Sequence, residues 1–427
     1  MDEFGREGVD VKVRKLISAS AVAGLLLASV PFTAASAATT EPGGQAPMTE
    51  GQQPKAANPH KQAKHAVNHT VGQLTFIGEQ RIANDLKFEE TLVGGLSGID
   101  YNPRTHQWIL ISDDRSDNAP ARFYSAKLKY DTKSFYSVEL TGMTEFKQED
   151  GTTYPNKKDY TANQQGIVPD LESIRFDPNG KSVWYTSEGD RTLNLNPFIR
   201  QATLKGKYLS SILTPKAFQI DANSGSSTQK GFRNNLALEG SSFSPDGKYY
   251  FTSMEAALYQ DGEISTVDAG SYSRITKYNR SGDIIAQYAY PIDAIPAKPG
   301  QGKSADNGVS EMLAINDHQF LILERSGMQA ADGNYSNYIR IYEADAAQAT
   351  NVNNLDSLTA GQFTPLTKKL VLDLNTLDLP KLDNVEGITW GPKLQNRHDS
   401  LVLVSDNNFG ASQVTQLLAF DVSPEKK

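Results

Sequence analysis

The sequence predicts an all-β fold: a β-propeller of five four-stranded blades, closed by an N-terminal strand that joins the last blade. Three observations predict it. One pattern recurs at five places, as LSGIDYNP (Leu96–Pro103), LESIRFDP (Leu171–Pro178), LEGSSFSP (Leu238–Pro245), VSEMLAIN (Val309–Asn316) and VEGITWGP (Val385–Pro392). Each copy leads through a short turn into an apolar strand: Trp108–Asp114, Val183–Glu188, Tyr249–Glu255, Phe320–Arg325 and Leu401–Asn407. The copies start 75, 67, 71 and 76 residues apart, which leaves room for four strands per period, the size of a propeller blade.

The elements follow in chain order. Lys12, Arg14 and Lys15 precede an apolar run from Leu16 to Val30 and a small-residue site at Ala35-Ser36-Ala37, so residues 1–37 read as a signal peptide and the protein as secreted or held at the cell envelope. The run is short for a transmembrane helix, and an uncleaved anchor is the competing reading. Residues 38–70 are rich in Pro, Gly, Gln, Ala and Lys and nearly free of large apolar side chains. They read as a flexible linker with solvated histidines, His60, His65 and His69. The propeller occupies residues 71–427. In the first repeat the third and fourth strands are expected near Arg122–Tyr130 and Phe135–Phe146. The last repeat has about 42 residues, enough for three strands, and the alternating segment Gln73–Ile82 supplies its fourth. Six blades stay open if a long connection hides weak strands. A stack of β-sandwiches does not repeat one motif at the same point of each period.

Composition sets limits on function. The formal charge is −8, which gives no pull toward nucleic acid and favours cations instead. The chain has no cysteine, so disulfides, thiolate catalysis and Cys-based zinc sites are excluded. G-x-S-x-G, H-E-x-x-H, Walker A and R-H-G-x-R-x-P patterns are all missing. His106, His318 and His398 fall in the short turns of one face and make poor general bases.

The acidic residues gather at the opposite face. In a propeller blade the start of the innermost strand and the end of the second strand share one face near the axis. Glu172, Glu239, Glu311 and Glu386 open first strands and are the candidate catalytic groups. Asp113, Asp114, Glu188, Glu255, Glu324 and Asp406 close second strands and, with Asn407, are candidate metal ligands. Crowded carboxylates repel, and protonation, basic partners or a cation must relieve them. Oxygen-only ligands point to a hard ion, calcium first. The connections on this face are long, as binding loops on a rigid scaffold tend to be. Arg115, Arg191 and Arg325 lie there and are the candidate groups for holding a small anionic or ester substrate.

The set LSGI…SDDR, DLESI…SEGD, LEG…ME, SEM…LER and NVEGI…VSDNN, running from about Gly94 to Gly410, resembles the bacterial phytase-like family, "esterase-like activity of phytase". That resemblance implies an exported propeller that hydrolyses phosphate or carboxylate esters. Ser97 departs from it, standing where other repeats have Glu, as does Met254-Glu255, which no Asp or Arg follows. The acidic strand openings are also similar to those of calcium-dependent lactonase propellers. The expected function is metal-dependent ester hydrolysis, phytate included, by a monomer. The alternatives are a non-catalytic envelope binding propeller with structural calcium and a calcium-dependent lactonase.

Overall fold

A computed structural model describes residues 69–221, 229–359 and 361–425. The expected signal peptide and nearly all of the expected linker, with His60 and His65, lie outside the described residues. Five four-stranded antiparallel sheets form the blades of a five-bladed propeller. Their innermost strands are Leu96–Asn102, Leu171–Phe176, Leu238–Phe243, Gly308–Ala314 and Asn384–Trp390, and each packs against the next around a closed ring. Blade 5 takes its outer strand, Leu74–Ile82, from the N-terminal side, paired antiparallel with Thr415–Val422. The closure is therefore the expected one, and no sixth blade exists among the described residues.

Strand alternation builds the core. Side chains of the second strands point alternately to the two neighbouring blades, the period-2 geometry of a pleated strand. In blade 1, Leu110 packs toward blade 5 with Val402 and Val404, while Ile109 and Ile111 pack toward blade 2 with Ile174 and Tyr185. In blade 3, Tyr250 joins Trp184 and Ile199 of blade 2, while Phe251 joins Met312 and Ile322 of blade 4. Leu321 and Leu323 of blade 4 meet Leu401 and Leu403 of blade 5. A separate apolar cluster thus fills each gap between blades. The continuous apolar runs read from the sequence are strands buried on both faces.

The axis is filled by one arginine. Arg175, 2% exposed, extends from the innermost strand of blade 2. Its Nε donates to Ser241 O at 2.7 Å, Nη1 to Ile99 O and Ile388 O at 3.0 Å each, and Nη2 to Met312 O at 3.2 Å. One guanidinium so binds the innermost strands of the other blades. Glu311 Oε2 lies 2.8 Å from Nη2 and neutralises it.

His69 is not a solvated linker residue. Its ring stacks on Trp390 with centroids 4.1 Å apart, and its Nδ1 lies 3.0 Å from Asp399 Oδ2. Trp390 offers His69 a flat apolar face beside a carboxylate.

Candidate functional site

The innermost strand of every blade carries a β-bulge at the same place. Pairing with the second strand is interrupted between Leu96 and Gly98, Leu171 and Ile174, Leu238 and Ser241, Val309 and Glu311, and Val385 and Gly387. A bulge leaves its extra residue out of the ladder and re-aims its side chain. The bulge residues in repeat order are Ser97, Glu172, Glu239, Ser310 and Glu386. Glu172, Glu239 and Glu386 line a cavity of about 730 Å³ at the channel mouth. Ser97 and Ser310 instead donate to carbonyls of the next blade, Leu171 O at 2.9 Å and Val385 O at 3.4 Å.

The glycine after the bulge has a steric reason. A Cβ on Gly240 would lie 2.6 Å from Met312 N and 2.7 Å from Glu311 Oε1, and one on Gly387 would lie 3.0 Å from Ser97 O. At these glycines the neighbouring innermost strand leaves no room for a side chain, whereas blades 2 and 4 carry Ser173 and Glu311 at the same place.

The second strands supply the other set of side chains. The strand registers pair Leu96 with Ser112, Leu171 with Ser187, Leu238 with Met254, Val309 with Glu324 and Val385 with Ser405. The residues that follow these partners are Asp113, Glu188, Glu255, Arg325 and Asp406, and all line the same cavity. Blade 4 therefore places an arginine where the other blades place a carboxylate.

The register also decides which candidates belong. Glu311 stands one position past the bulge, so its side chain points to the axis, where Ser241 N and Met312 N donate to it beside Arg175. Glu324 stands one position before the cavity set. It accepts from Tyr290 Oη at 2.8 Å and Asn307 Nδ2 at 3.1 Å and pairs with Lys368. Asp114 is buried, accepting from the backbone N–H of Asp117, Asn118 and Ala119, and it pairs with Arg122 at 2.7 Å. Asn407 Oδ1 accepts from Gly95 N at 3.0 Å and Phe409 N at 3.2 Å. Arg191 donates to Lys230 O and Phe232 O and lies over the Tyr259 ring. The structure uses these five as local structural groups, outside the cavity.

Arg325 donates from Nη2 to Glu255 at 3.0 Å, with its Nε 3.7 Å from Glu386. Arg115 pairs with Asp190 at 2.5 Å and lies 3.5 Å from Asp170. Asp170 is a cavity residue that the sequence reading missed. Its signal was present, since it stands two residues before Glu172 as Asn384 stands before Glu386. Asn384 Nδ2 donates to Glu386 at 2.8 Å and reaches Asp406 at 3.4 Å.

Carboxylates so placed bind protons more readily than exposed ones do. Burial, and then the charges of their neighbours, push Asp113, Asp170, Glu172 and Glu239 well above the usual range. Burial and the Asp406 charge raise Glu386 to about 8, although Arg325 opposes the shift, and burial raises Asp406 to about 6. Glu255 is also raised well above the ordinary value by burial, against the pull of Arg325. Two groups of these acids bring carboxylate oxygens to a spacing at which three can share one ion. Oxygen atoms of Asp170, Glu172 and Glu188 lie within 4.8 Å of one another, as do those of Glu188, Glu239 and Glu255.

A family model described as "Phytase-like: Esterase-like activity of phytase" matches residues 91–409. The chain belongs to the phytase-like family. The match spans the innermost strands of all five blades and both sets of cavity residues in this phytase-like propeller. No curated protein matches it. Among solved structures it is similar to a thermostable family-43 glycoside hydrolase (10% identity, TM-score 0.37, 78% of this chain and 95% of that one). It is also similar to XC5397 from Xanthomonas campestris, titled a gluconolactonase (8% identity, TM-score 0.29, 84% of this chain and 100% of that one). A third likeness is to the tail fibre of Staphylococcus aureus phage P68 (12% identity, TM-score 0.35), of which the phytase-like chain covers 82% of itself and about half, 52%, of the fibre. No described helix is long and apolar enough to cross a membrane.

Proposed function

We propose that the protein is an exported, calcium-dependent hydrolase of phosphate or carboxylate esters. The observation that carries this reading is the convergence of two sets of side chains on one cavity: three from the bulges, Glu172, Glu239 and Glu386, and five from the second strands, Asp113, Glu188, Glu255, Asp406 and Arg325. The donor set fits calcium, being all oxygen, rich in carboxylate and free of His and Cys. Glu188, Glu239 and Glu255, with Asp170 and Glu172, are the residues that would hold the ion. A bound calcium supplies Lewis-acid polarisation of the ester oxygen.

The chain's own groups do the rest. Glu386 is held by Asn384 and faces Arg325, and at a neutral pH it exchanges a proton readily, as a general base must. It takes the proton of the attacking water. Arg325 offers guanidinium N–H groups to the oxyanion that develops, its Nε making no hydrogen bond within the protein. Burial below the loop rim keeps both groups in a low-dielectric setting, where such contacts count for more.

The test is a calcium titration of the chelated full chain, following thermal melting and hydrolysis of p-nitrophenyl acetate, p-nitrophenyl phosphate and phytate together. Calcium is expected to raise both the melting temperature and a hydrolysis rate. Turnover is expected to vanish in Glu239→Gln/Glu386→Gln with the fold retained. A rise in stability alone, with no ester cleaved, would leave a binding propeller with structural calcium.

A further inference from the structure

The cavity's rim and its charge decide between the substrate classes left open by that reading. A polyphosphate needs several cations that are free to meet it. Of the cavity-lining residues described, the basic ones are Arg325 and Lys381. Arg325 is shared among Glu255, Glu386 and Asp306. Lys381 Nζ lies 2.8 Å from Asp383 and donates to Ser412 O. Neither side chain is free of an acidic partner, and the remaining charged lining groups are carboxylates. A polyanion entering this cavity finds no lining cation that is not already paired with an acid.

The rim has a different chemistry. The lining also carries five side-chain amides, those of Asn235, Asn334, Asn337, Asn408 and Gln413; Asn334 donates to Asp332 at 2.7 Å, and Asn337 and Gln413 reach Asp383 at 3.4 Å, which leaves their amide oxygens as acceptors. An amide both donates and accepts, which matches vicinal hydroxyls. Beside them stands Tyr335, 64% exposed, with Asn334 and Ser336 on either side of it exposed as well. Its hydroxyl lies 2.9 Å from that of the exposed Ser304. An exposed aromatic ring among amides suits the alternating apolar and hydroxyl surfaces of a sugar ring.

We infer that the substrate is an ester of an uncharged polyhydroxylated compound, a saccharide ester, and not a polyphosphate. This rests on the hydrolase reading above. In the reaction, water adds to the acyl carbon and the acyl–oxygen bond breaks. The proton that water gives up through Glu386 ends on the departing sugar oxygen, and the products are a carboxylic acid and the free sugar hydroxyl.

The experiment uses the full chain with calcium. Hydrolysis is compared for a mono-acetylated methyl glucoside, p-nitrophenyl acetate and phytate, and binding of methyl glucoside and of phytate is measured by calorimetry. The acetylated glucoside is expected to be cleaved and phytate neither cleaved nor bound. Tyr335→Ala is expected to lower kcat/KM for the glucoside ester relative to p-nitrophenyl acetate by about tenfold, through KM. Phytate cleaved faster than the glucoside ester, or bound more tightly than methyl glucoside, overturns the proposal. So does a Tyr335→Ala variant that affects both acetyl esters alike. If no ester is cleaved but methyl glucoside binds and Tyr335→Ala weakens it, the hydrolase reading falls and saccharide recognition stands. If neither ligand binds and no ester is cleaved, both fall.

Discussion

Arg325 is the residue that makes the cavity asymmetric. Four blades place a carboxylate at this level beside the second strand, and blade 4, whose second strand runs on to Gln329, places a guanidinium there with no hydrogen bond to its Nε. Replacing it by Gln removes the counter-charge of Glu255 and Glu386 while keeping a polar side chain. Turnover by Arg325→Gln should fall on the order of 10²-fold or more, the usual consequence of losing a preorganised oxyanion donor. Calcium affinity measured by calorimetry should rise in the same variant, because the cation no longer competes with a resident one. Arg175 is the contrasting case, a cation used for structure. It and Glu311 are buried, with side chains 3% and 1% exposed. Arg175→Leu leaves Glu311 without its partner and several innermost-strand carbonyls without a donor. We expect a loss of about 3–5 kcal/mol in chemical denaturation, the range for breaking a buried pair.

At the scale of the strand, the bulge does the positioning. It lifts a residue out of the ladder in each blade, and in blades 1, 3 and 5 the glycine beside it, Gly98, Gly240 or Gly387, lets adjacent innermost strands approach. In blade 3 a methyl group on Gly240 would contact Met312 N, Ser253 Oγ and Glu311 Oε1, all within 2.7 Å. Gly240→Ala should therefore cost about 1–3 kcal/mol, as overpacking does. Its diagnostic effect is on the site. The added methyl displaces the backbone directly beside Glu239, so calcium affinity should drop more than a Gly→Ala change on an exposed turn would cause. Gly302, beside which a Cβ meets nothing within 4 Å, supplies that comparison, with its own positive φ of 69° accounting for any backbone strain.

At the scale of the whole molecule, the cavity couples protonation, cation binding and stability. Its carboxylates have folded-state pKa values above their unfolded ones, with Asp406 at about 6 and Glu386 at about 8. For such groups the stabilising difference is fully present below the unfolded values, near pH 4, and is lost as pH rises through the folded ones. The chelated protein should melt at progressively lower temperature between about pH 6 and 8. Calcium binds the deprotonated set and releases its protons, so it should flatten this decline, and the calcium-induced shift should be larger at pH 8 than at pH 6. Melting curves at both pH values, with chelator and with calcium, check this. Equal shifts at both would separate the ion from these carboxylates.

The period of about 70 residues, the repeated strand motif, the short last repeat and the alternating Gln73–Ile82 segment together determined the propeller and its closure and favoured five blades over six. Those features are local and periodic, and a chain read in one dimension displays them. The repeat also placed Glu172, Glu239, Glu386, Asp113, Glu188, Glu255 and Asp406 at equivalent points, and these share one cavity. The sequence could not separate Glu311 from that group, or Glu324 and Asp114 from the second. A single-residue offset from the bulge or from the strand end turns a side chain toward the axis or into the gap between blades, and only the pairing register reveals that offset. Tertiary structure alone decided that Arg325 takes the fifth cavity position, that Asp170 joins the cluster and that Arg175 fills the axis. Each depends on which blades meet across the channel, a distance of many residues in the chain and of a few ångströms in the fold.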